Sequence, residues 1–378
     1  MLNKYPQRGV FFAFGLYSFS FGALFPRIGD MQDQMGVSQS TLGLSIIGIA
    51  LGVQLALLVA GRLTNQFGYR RVMLFTMPMI GFTEALASLA THPAYFFICL
   101  CFTGLAIGMV EVAVNVEADR VEHHLSRRIM NRSHAFWSFG FFLAGLSGAF
   151  IAQWQISPTY HLTFFAVVTA VISFFAFTHY EPAPPRPTDE DSTIIFARPT
   201  RPIFALVALS LSAMLLEGAG IDWSVIFMRD VFATAPFISG LALTLFAASQ
   251  FGVRYIADYF VERQGPIKVS RWSLIVLGIG VLAVSLSYTP AMALAGFAMI
   301  GAGTAVIFPL AISAAAQLDD RSSAINVASF AQFSFIVFLL APPILGTIAE
   351  YFGIRISYAI GLPLVLISFM TLSSLKPR

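Results

Sequence analysis

Three stretches of this chain place ionisable side chains where a charge is costly and give them polar company at helical spacing. In Gly104-Leu-Ala-Ile-Gly108-Met-Val-Glu111-Val-Ala-Val-Asn115 a carboxyl and a carboxamide stand one turn apart on one helix face. In Glu217-Gly-Ala-Gly220-Ile-Asp222-Trp223-Ser224 two carboxylates and an indole flank a glycine pair, and each glycine weakens a helix by roughly 1 kcal/mol relative to alanine. Arg254 and Asp258 are spaced to pair across one turn. A carboxyl in an apolar segment is tolerated when it faces a cavity or a partner. Low-dielectric walls around water bring its proton exchange toward neutral pH, so protonation and solute occupancy can be linked. The chemistry predicted is proton carriage, by Glu111 first, then Glu217 and Asp222.

Polar groups that could face the same cavity are Asn115, Gln54, Asn326 and Gln332, with Trp137 and Trp223 offering flat faces to a sugar-like ring or, alternatively, filling helix interfaces. His134, in Arg132-Ser-His134-Ala-Phe-Trp137, reads as a proton shuttle or as an interfacial residue at a helix end. Glu84 lies mid-segment without a motif around it, and His123-His124 in the basic 119–132 region reads as a solvated turn. There is no Gly-x-x-x-x-Gly-Lys phosphate loop and no His/Asp/Glu cluster at the expected surfaces. Neither an enzyme, nor a metal site, nor a cofactor is therefore expected. Cys99 and Cys101, two apart in one apolar run, point in different directions and read as packing residues.

The elements that must position these groups follow from composition. Of 378 residues only 11% are charged and 57% are hydrophobic, with 38 Phe, too few ionised groups to cover a water-facing surface. The lipid bilayer is the expected solvent and partner, and a net charge of +3 spread between apolar runs argues against nucleic acid. A hydrocarbon core of about 30 Å needs roughly 20 apolar residues per helix. Such segments are expected near 9–29, 40–61, 72–91, 94–116, 133–153, 160–179, 203–225, 238–257, 270–288, 291–316, 324–348 and 354–374. The reading is an all-α integral membrane protein of twelve transmembrane helices.

With the N-terminus inside, the outer turns hold only Arg27, Arg229 and Arg355, so 22 − 3 = 19 Lys and Arg lie at inner ends, among them Lys4, Arg70, Arg71, Arg127, Arg128, Arg132, Arg201, Arg263, Lys268, Arg271, Arg321 and Lys376. Both termini are expected in the cytoplasm. Glu181-Pro-Ala-Pro-Pro-Arg-Pro-Thr-Asp-Glu-Asp-Ser192 cannot continue a helix and reads as a linker. It divides the chain into a bundle at 1–180, a cytoplasmic linker at 181–201 and a second bundle at 202–378. The halves echo one another at an offset of 197, pairing His92-Pro93-Ala94 and Gly104 with Thr289-Pro290-Ala291 and Gly301, and Gly68 with Gly265. Asn65 pairs with Asp258 at an offset of 193.

After the second segment the chain reads Gly61-Arg-Leu-Thr-Asn65-Gln-Phe-Gly68-Tyr-Arg70-Arg71. This resembles the G-x-L-x-D-R-x-G-R-R signature of the major facilitator superfamily, with Asn65 and Gln66 in place of the acidic and basic residues. The resemblance implies two pseudo-symmetric six-helix bundles that alternate access to a central site. It also implies gating roles for Gly61, Asn65, Gly68, Arg70, Arg71, Arg254 and Asp258. The Glu111-x-x-x-Asn115 pair after Gly104 and Gly108, the Arg132–Gly140 run and the Glu217–Asp230 run are similar to the fucose-permease-like branch of bacterial inner-membrane proteins. There the matching glutamate is tied to proton coupling and sugar binding. The acidic residue of that branch's first span is replaced here by Gly22.

The function expected is secondary active transport of a small polar solute such as a sugar, polyol or related metabolite across the bacterial inner membrane, coupled to protons, by a monomer. The alternatives are proton-driven efflux of drug-like or amphipathic compounds and, from another class, a membrane sensor that kept the fold without transport.

Overall fold

The computed structural model describes residues 6–126, 129–184, 198–321 and 323–376. Among them the regular structure is helical throughout. The first span is α1 (Pro6–Gly22), a 3-10 turn at Phe25–Arg27 and α2 (Ile28–Met35); the second is α3 (Gln39–Leu57) with α4 (Ala60–Phe67). α5 (Tyr69–Ala87), α6 (Pro93–Leu125), α7 (Met130–Gln153) and α8 (Pro158–Phe177) complete the first bundle. The second bundle opens with α9 (Arg201–Asp222) and α10 (Ser224–Phe232), then α11 (Pro236–Gln264) and α12 (Pro266–Ser285). It closes with α13 (Pro290–Thr304) and α14 (Ile307–Ala316), α15 (Ser323–Phe352), and α16 (Ile354–Ala359) with α17 (Gly361–Met370).

Ten of the twelve spans are long and apolar enough to cross a membrane by themselves. The third, α5, carries Arg70, Arg71 and Glu84, and the twelfth is divided at Ile360. Large apolar side chains stay exposed along the outside, Phe75 at 71% and Phe175 at 76% among them, as helices solvated by lipid require.

Helix ends are set locally. Proline occupies the first turn of α6, α8, α11, α12 and α13, where its missing N–H costs nothing. The side chains of Ser38, Ser157 and Thr289 accept hydrogen bonds from the first turns of α3, α8 and α13. Several helices overrun the expected spans. α6 reaches Leu125 instead of 116, so His123 and His124 close a helix rather than lie in a solvated loop. The second span runs past 61 to Phe67, and the eighth past 257 to Gln264. Water-facing extensions carry no apolar signal, which is why counting apolar residues ends such helices early.

Five spans are broken where one helix was expected: the first at 23–27, the second at Leu58–Val59, the seventh at Trp223, the tenth at Ala305–Val306 and the twelfth at Ile360. The break in the tenth lies one turn before Pro309, whose ring would clash with the Ala305 carbonyl and which has no N–H to give it. Pro342 and Pro343, by contrast, lie inside a continuous α15.

The two bundles repeat each other in detail. A Cβ on Gly104 would lie 2.0 Å from the Ile49 carbonyl oxygen, and one on Gly301 would lie 2.1 Å from that of Phe246. Both differences, 301 − 104 and 246 − 49, are 197. At the same offset Gly68 (φ 79°, ψ 151°) and Gly265 (φ 78°, ψ 156°) share one left-handed turn, and His92 and Thr289 cap their helices just before a proline.

Most of the expected linker, together with Lys4, Arg127 and Arg128, lies outside the described residues. Its first residues are anchored on the first bundle, where Glu117 Oε1 accepts from the Tyr180 hydroxyl (3.0 Å) and from the Ala183 N–H (2.9 Å). Burial beside that carboxylate pushes the Tyr180 hydroxyl up, well above the usual phenol range.

Candidate functional site

α1, α6 and α7 build the first half of the site. α1 and α7 approach closely because Gly140 has no side chain: a Cβ there would sit 2.0 Å from Ser18 Oγ and 2.2 Å from the Gly15 carbonyl oxygen. That approach brings Tyr17 to Glu111, whose Oε2 accepts from the Tyr17 hydroxyl at 2.6 Å. Asn115 donates to Glu111 Oε1 at 3.0 Å and to the Glu111 carbonyl oxygen at 2.8 Å, so the spacing seen in the sequence does bring the amide onto the carboxyl. Trp137 stands beside Tyr17, ring centroids 6.4 Å apart, and rests on Phe141 at 4.7 Å. Glu111, Asn115 and Trp137 each remain half-buried.

The next residue of α7 points about 100° further round the helix and joins the bundles. Ser138 donates to Gln250 Oε1 (3.1 Å) and accepts from Arg254 Nη1 (2.9 Å), both on α11. Arg254 Nη2 reaches Glu217 of α9, 3.1 Å from Oε1, and the two side chains are each 11% exposed. Arg254 Nε donates to the Ala305 carbonyl at 3.1 Å, the oxygen that Pro309 leaves without a helical donor. Gln250 continues the chain of contacts to Thr304 at 3.5 Å. A small cavity of about 30 Å³ borders this cluster, with His134, Arg254, Asp258 and Pro309 in its wall.

The arrangement corrects several expectations. The nitrogens of Arg254 reach Glu217, Ser138 and the Ala305 carbonyl, so its ion pair with Glu217 crosses the bundle, while Asp258, one turn further along α11, lines the same cavity. His134, half-buried near the start of α7, packs edge-on against Phe14 at 5.1 Å and borders the Arg254 cavity. Trp223 is 1% exposed at the α9–α10 break, its ring against Gly346 of α15, and has no face free for a solute. Asp222 is buried, 8% exposed, close to Tyr358, which itself donates to the Ala219 carbonyl (2.7 Å).

Asn326 is fully buried but secures the turn before α15, donating to Asp320 Oδ1 (2.9 Å) and the Leu318 carbonyl (3.3 Å). That bond from Asn326 holds the Asp320 carboxyl below the usual carboxylate range. Gln54 and Gln332 are half-buried on α3 and α15. Gly61, Asn65, Gly68, Arg70 and Arg71 stay together at the exposed α4–α5 turn. Glu84 is 1% exposed with Oε1 unpartnered among the described residues.

At the opposite end of the molecule the halves are tied. Arg229 of α10 donates to the Gly29 carbonyl (2.9 Å), Gln32 Oε1 (2.8 Å) and the Asp33 carboxylate (3.3 Å). Gln39 donates to Asp230 Oδ2 (2.9 Å) and the Ser40 N–H to Glu350 Oε2 (3.0 Å). Gly43 and Gly346 let α3 and α15 meet backbone to backbone, a Cβ on either falling within 2.5 Å of the other helix's side of the contact. The three arginines that broke the charge asymmetry are all employed here: Arg27 on Asp30 and the Ile156 carbonyl, Arg229 as above, and Arg355 on the Ser287 carbonyl.

Two bundles of broken, apolar helices thus meet where Ser138 of the first contacts Gln250 and Arg254 of the second, and Arg254 is in turn paired with Glu217 of its own bundle. The family model described as Major Facilitator Superfamily matches residues 10–228, and the chain belongs to that superfamily. It is 30% identical over 359 residues, 94% of each chain, to the uncharacterized transporter y4wD of Sinorhizobium fredii. It is 23% identical, over 95% of each chain, to the multidrug resistance protein MdtL of Klebsiella pneumoniae subsp. pneumoniae. The crystal structure of a D-xylose-proton symporter superposes with a TM-score of 0.75 over 98% of each chain at 13% identity, a likeness of fold.

Proposed function

We propose that this chain is a proton-coupled secondary transporter of a small polar solute such as a sugar or polyol, with Glu111 as the proton carrier. The observation that carries the reading is the half-buried Glu111 carboxyl, held between Tyr17 and Asn115 beside the Trp137 ring. An ionised Glu111 accepts from both neighbours; a protonated one must turn one oxygen into a donor, so taking up a proton rewrites the contacts that a solute hydroxyl would share. Glu217 is the second candidate carrier. Its protonation removes the charge opposite Arg254, which frees the guanidinium that also holds Ser138 of the other bundle. Inner-membrane residence of a monomer, both termini in the cytoplasm, a first bundle over 1–180 and a second over 202–378 belong to the same reading.

The test is proton movement in liposomes containing the protein and an internal pH dye, with pooled sugars, polyols and amphipathic cations added to wild type and Glu111→Gln. The expected result is a solute-dependent pH change in wild type that the variant lacks. Solute flux without a proton signal, equal in both proteins, would make Glu111 structural. The relative named for multidrug resistance favours a second reading, export of amphipathic compounds, and a pH change of antiport sign with the cation pool alone would select it.

A further inference from the structure

On the flank of the first bundle, apart from both carboxylate clusters, lies an apolar groove of about 410 Å³. Its walls are Leu63 and Phe67 of α4, Phe75 and Met79 of α5, and Leu105 and Met109 of α6. It exists because α3 stops at Leu57 and the chain restarts as α4 at Ala60, after Val59 leaves helical geometry at φ −123°. The residues of α5 that line it run from Arg71 to Met79, about 12 Å of helix at 1.5 Å per residue. That is most of the roughly 15 Å that one leaflet contributes to a 30 Å hydrocarbon core. The hydroxyl in the wall, that of Thr76, is turned back to its own helix and donates to the Val72 carbonyl at 2.7 Å, so the groove offers a polar solute nothing to bind.

The end of the groove is different. Arg71 lines it there, with Arg70 beside it and Arg62 next to Leu63, and all three are exposed. None of them forms an ion pair among the described residues. The position of this loop that would hold a carboxylate holds Asn65. Three guanidinium groups without a counter-charge among the described residues therefore stand at the end of an apolar slot of leaflet depth, and basic pockets between transmembrane helices recruit anionic headgroups.

We infer that the groove holds one acyl chain of an anionic phospholipid, with the phosphate on Arg71 and with Arg62 and Arg70 adding attraction. Such a lipid braces α4 against α5 and α6 and supplies the negative charge that the loop lacks. The inference needs only that the chain is embedded in a membrane, so it stands or falls separately from the proton-coupled reading.

Native mass spectrometry of the full-length protein, titrated with phosphatidylglycerol or phosphatidylcholine, measures the preference. Each arginine near a charged surface is worth about five-fold in affinity. Arg71→Gln should therefore lower phosphatidylglycerol retention about five-fold and phosphatidylcholine retention by less, because choline already offsets the charge of its phosphate. Met79→Trp, which fills the groove, should lower both. Equal retention of the two lipids by wild type, or an Arg71→Gln protein that prefers phosphatidylglycerol as wild type does, would show an apolar filler only and overturn the assignment. The same holds on the wild-type protein alone: phosphatidylglycerol with a photoactivatable acyl chain should crosslink to residues within 63–79 or 105–109, and crosslinks confined elsewhere refute it.

Discussion

An arginine whose three guanidinium nitrogens reach two other helices and the break between a further pair, as those of Arg254 do, is both a charge partner and a structural rivet. Breaking a buried pair on one side costs about 3–5 kcal/mol, because the remaining charge is stranded, whereas removing both charges costs far less. Glu217→Gln and Arg254→Gln should each lower the unfolding temperature in detergent, and the double variant should recover much of the loss. Strict additivity of the two single effects would mean that the pair is not coupled. The Glu111–Asn115 contact was legible in the sequence because both residue types are out of place in lipid and their spacing leaves one geometry. Tyr17 and Ser138 were not. A tyrosine among phenylalanines and a serine in a helix are ordinary in such segments. The signal available was indirect: Gly15, Ser18 and Gly140 form the small faces that bring α1 and α7 together.

At the scale of elements, the glycine contacts decide where helices cross. Gly104 and Gly301 each admit a carbonyl oxygen at a distance no Cβ tolerates, and that oxygen belongs to backbone, which cannot swing aside. Gly104→Ala and Gly301→Ala should each destabilise by about 1–3 kcal/mol, as overpacking does. Gly252, on α11 with nothing within 4 Å of its Cβ position, should instead gain up to about 1 kcal/mol as alanine. Thermal unfolding of the three variants checks this, and equal losses at 104 and 252 would remove the steric explanation. Twelve spans and their order followed from apolar length and basic flanks. The breaks at Trp223 and Ala305–Val306 did not, because they arise from tertiary contacts and from a proline one turn downstream. Pro342-Pro343 carries the same local signal and bends nothing into two helices, so the residue type alone does not distinguish the cases.

For the whole molecule, the matched offset of 197 joins two copies of one bundle, yet the contacts between the copies are unequal at the two ends. The end built by Arg229, Gln39, Ser40 and Glu350 is laced with hydrogen bonds between bundles, several of them charge-assisted. Each charge-assisted bond is worth about 1.5–3 kcal/mol, and a shift of that size moves a two-state ratio ten-fold or more. Arg229→Ala should therefore populate a form in which this end separates. Spin labels at positions 91 and 288, on turns of opposite bundles at that end, in a background lacking Cys99 and Cys101, would report it as a longer distance component. An unchanged distance distribution would mean that the α3–α15 backbone contact alone holds the end shut.

Two ion pairs, one between the bundles and one inside the second, differ in how much water reaches them. Arg229 and Asp33 are 31% and 68% exposed, Arg254 and Glu217 only 11% each. Dissolved ions screen charges over about 10 Å at 0.1 M and about 3 Å at 1 M, but they do so through solvent. Ionic strength thus acts on the latch and spares the rivet, so the surrounding electrolyte tunes how readily one end parts without touching the charge pair at the centre.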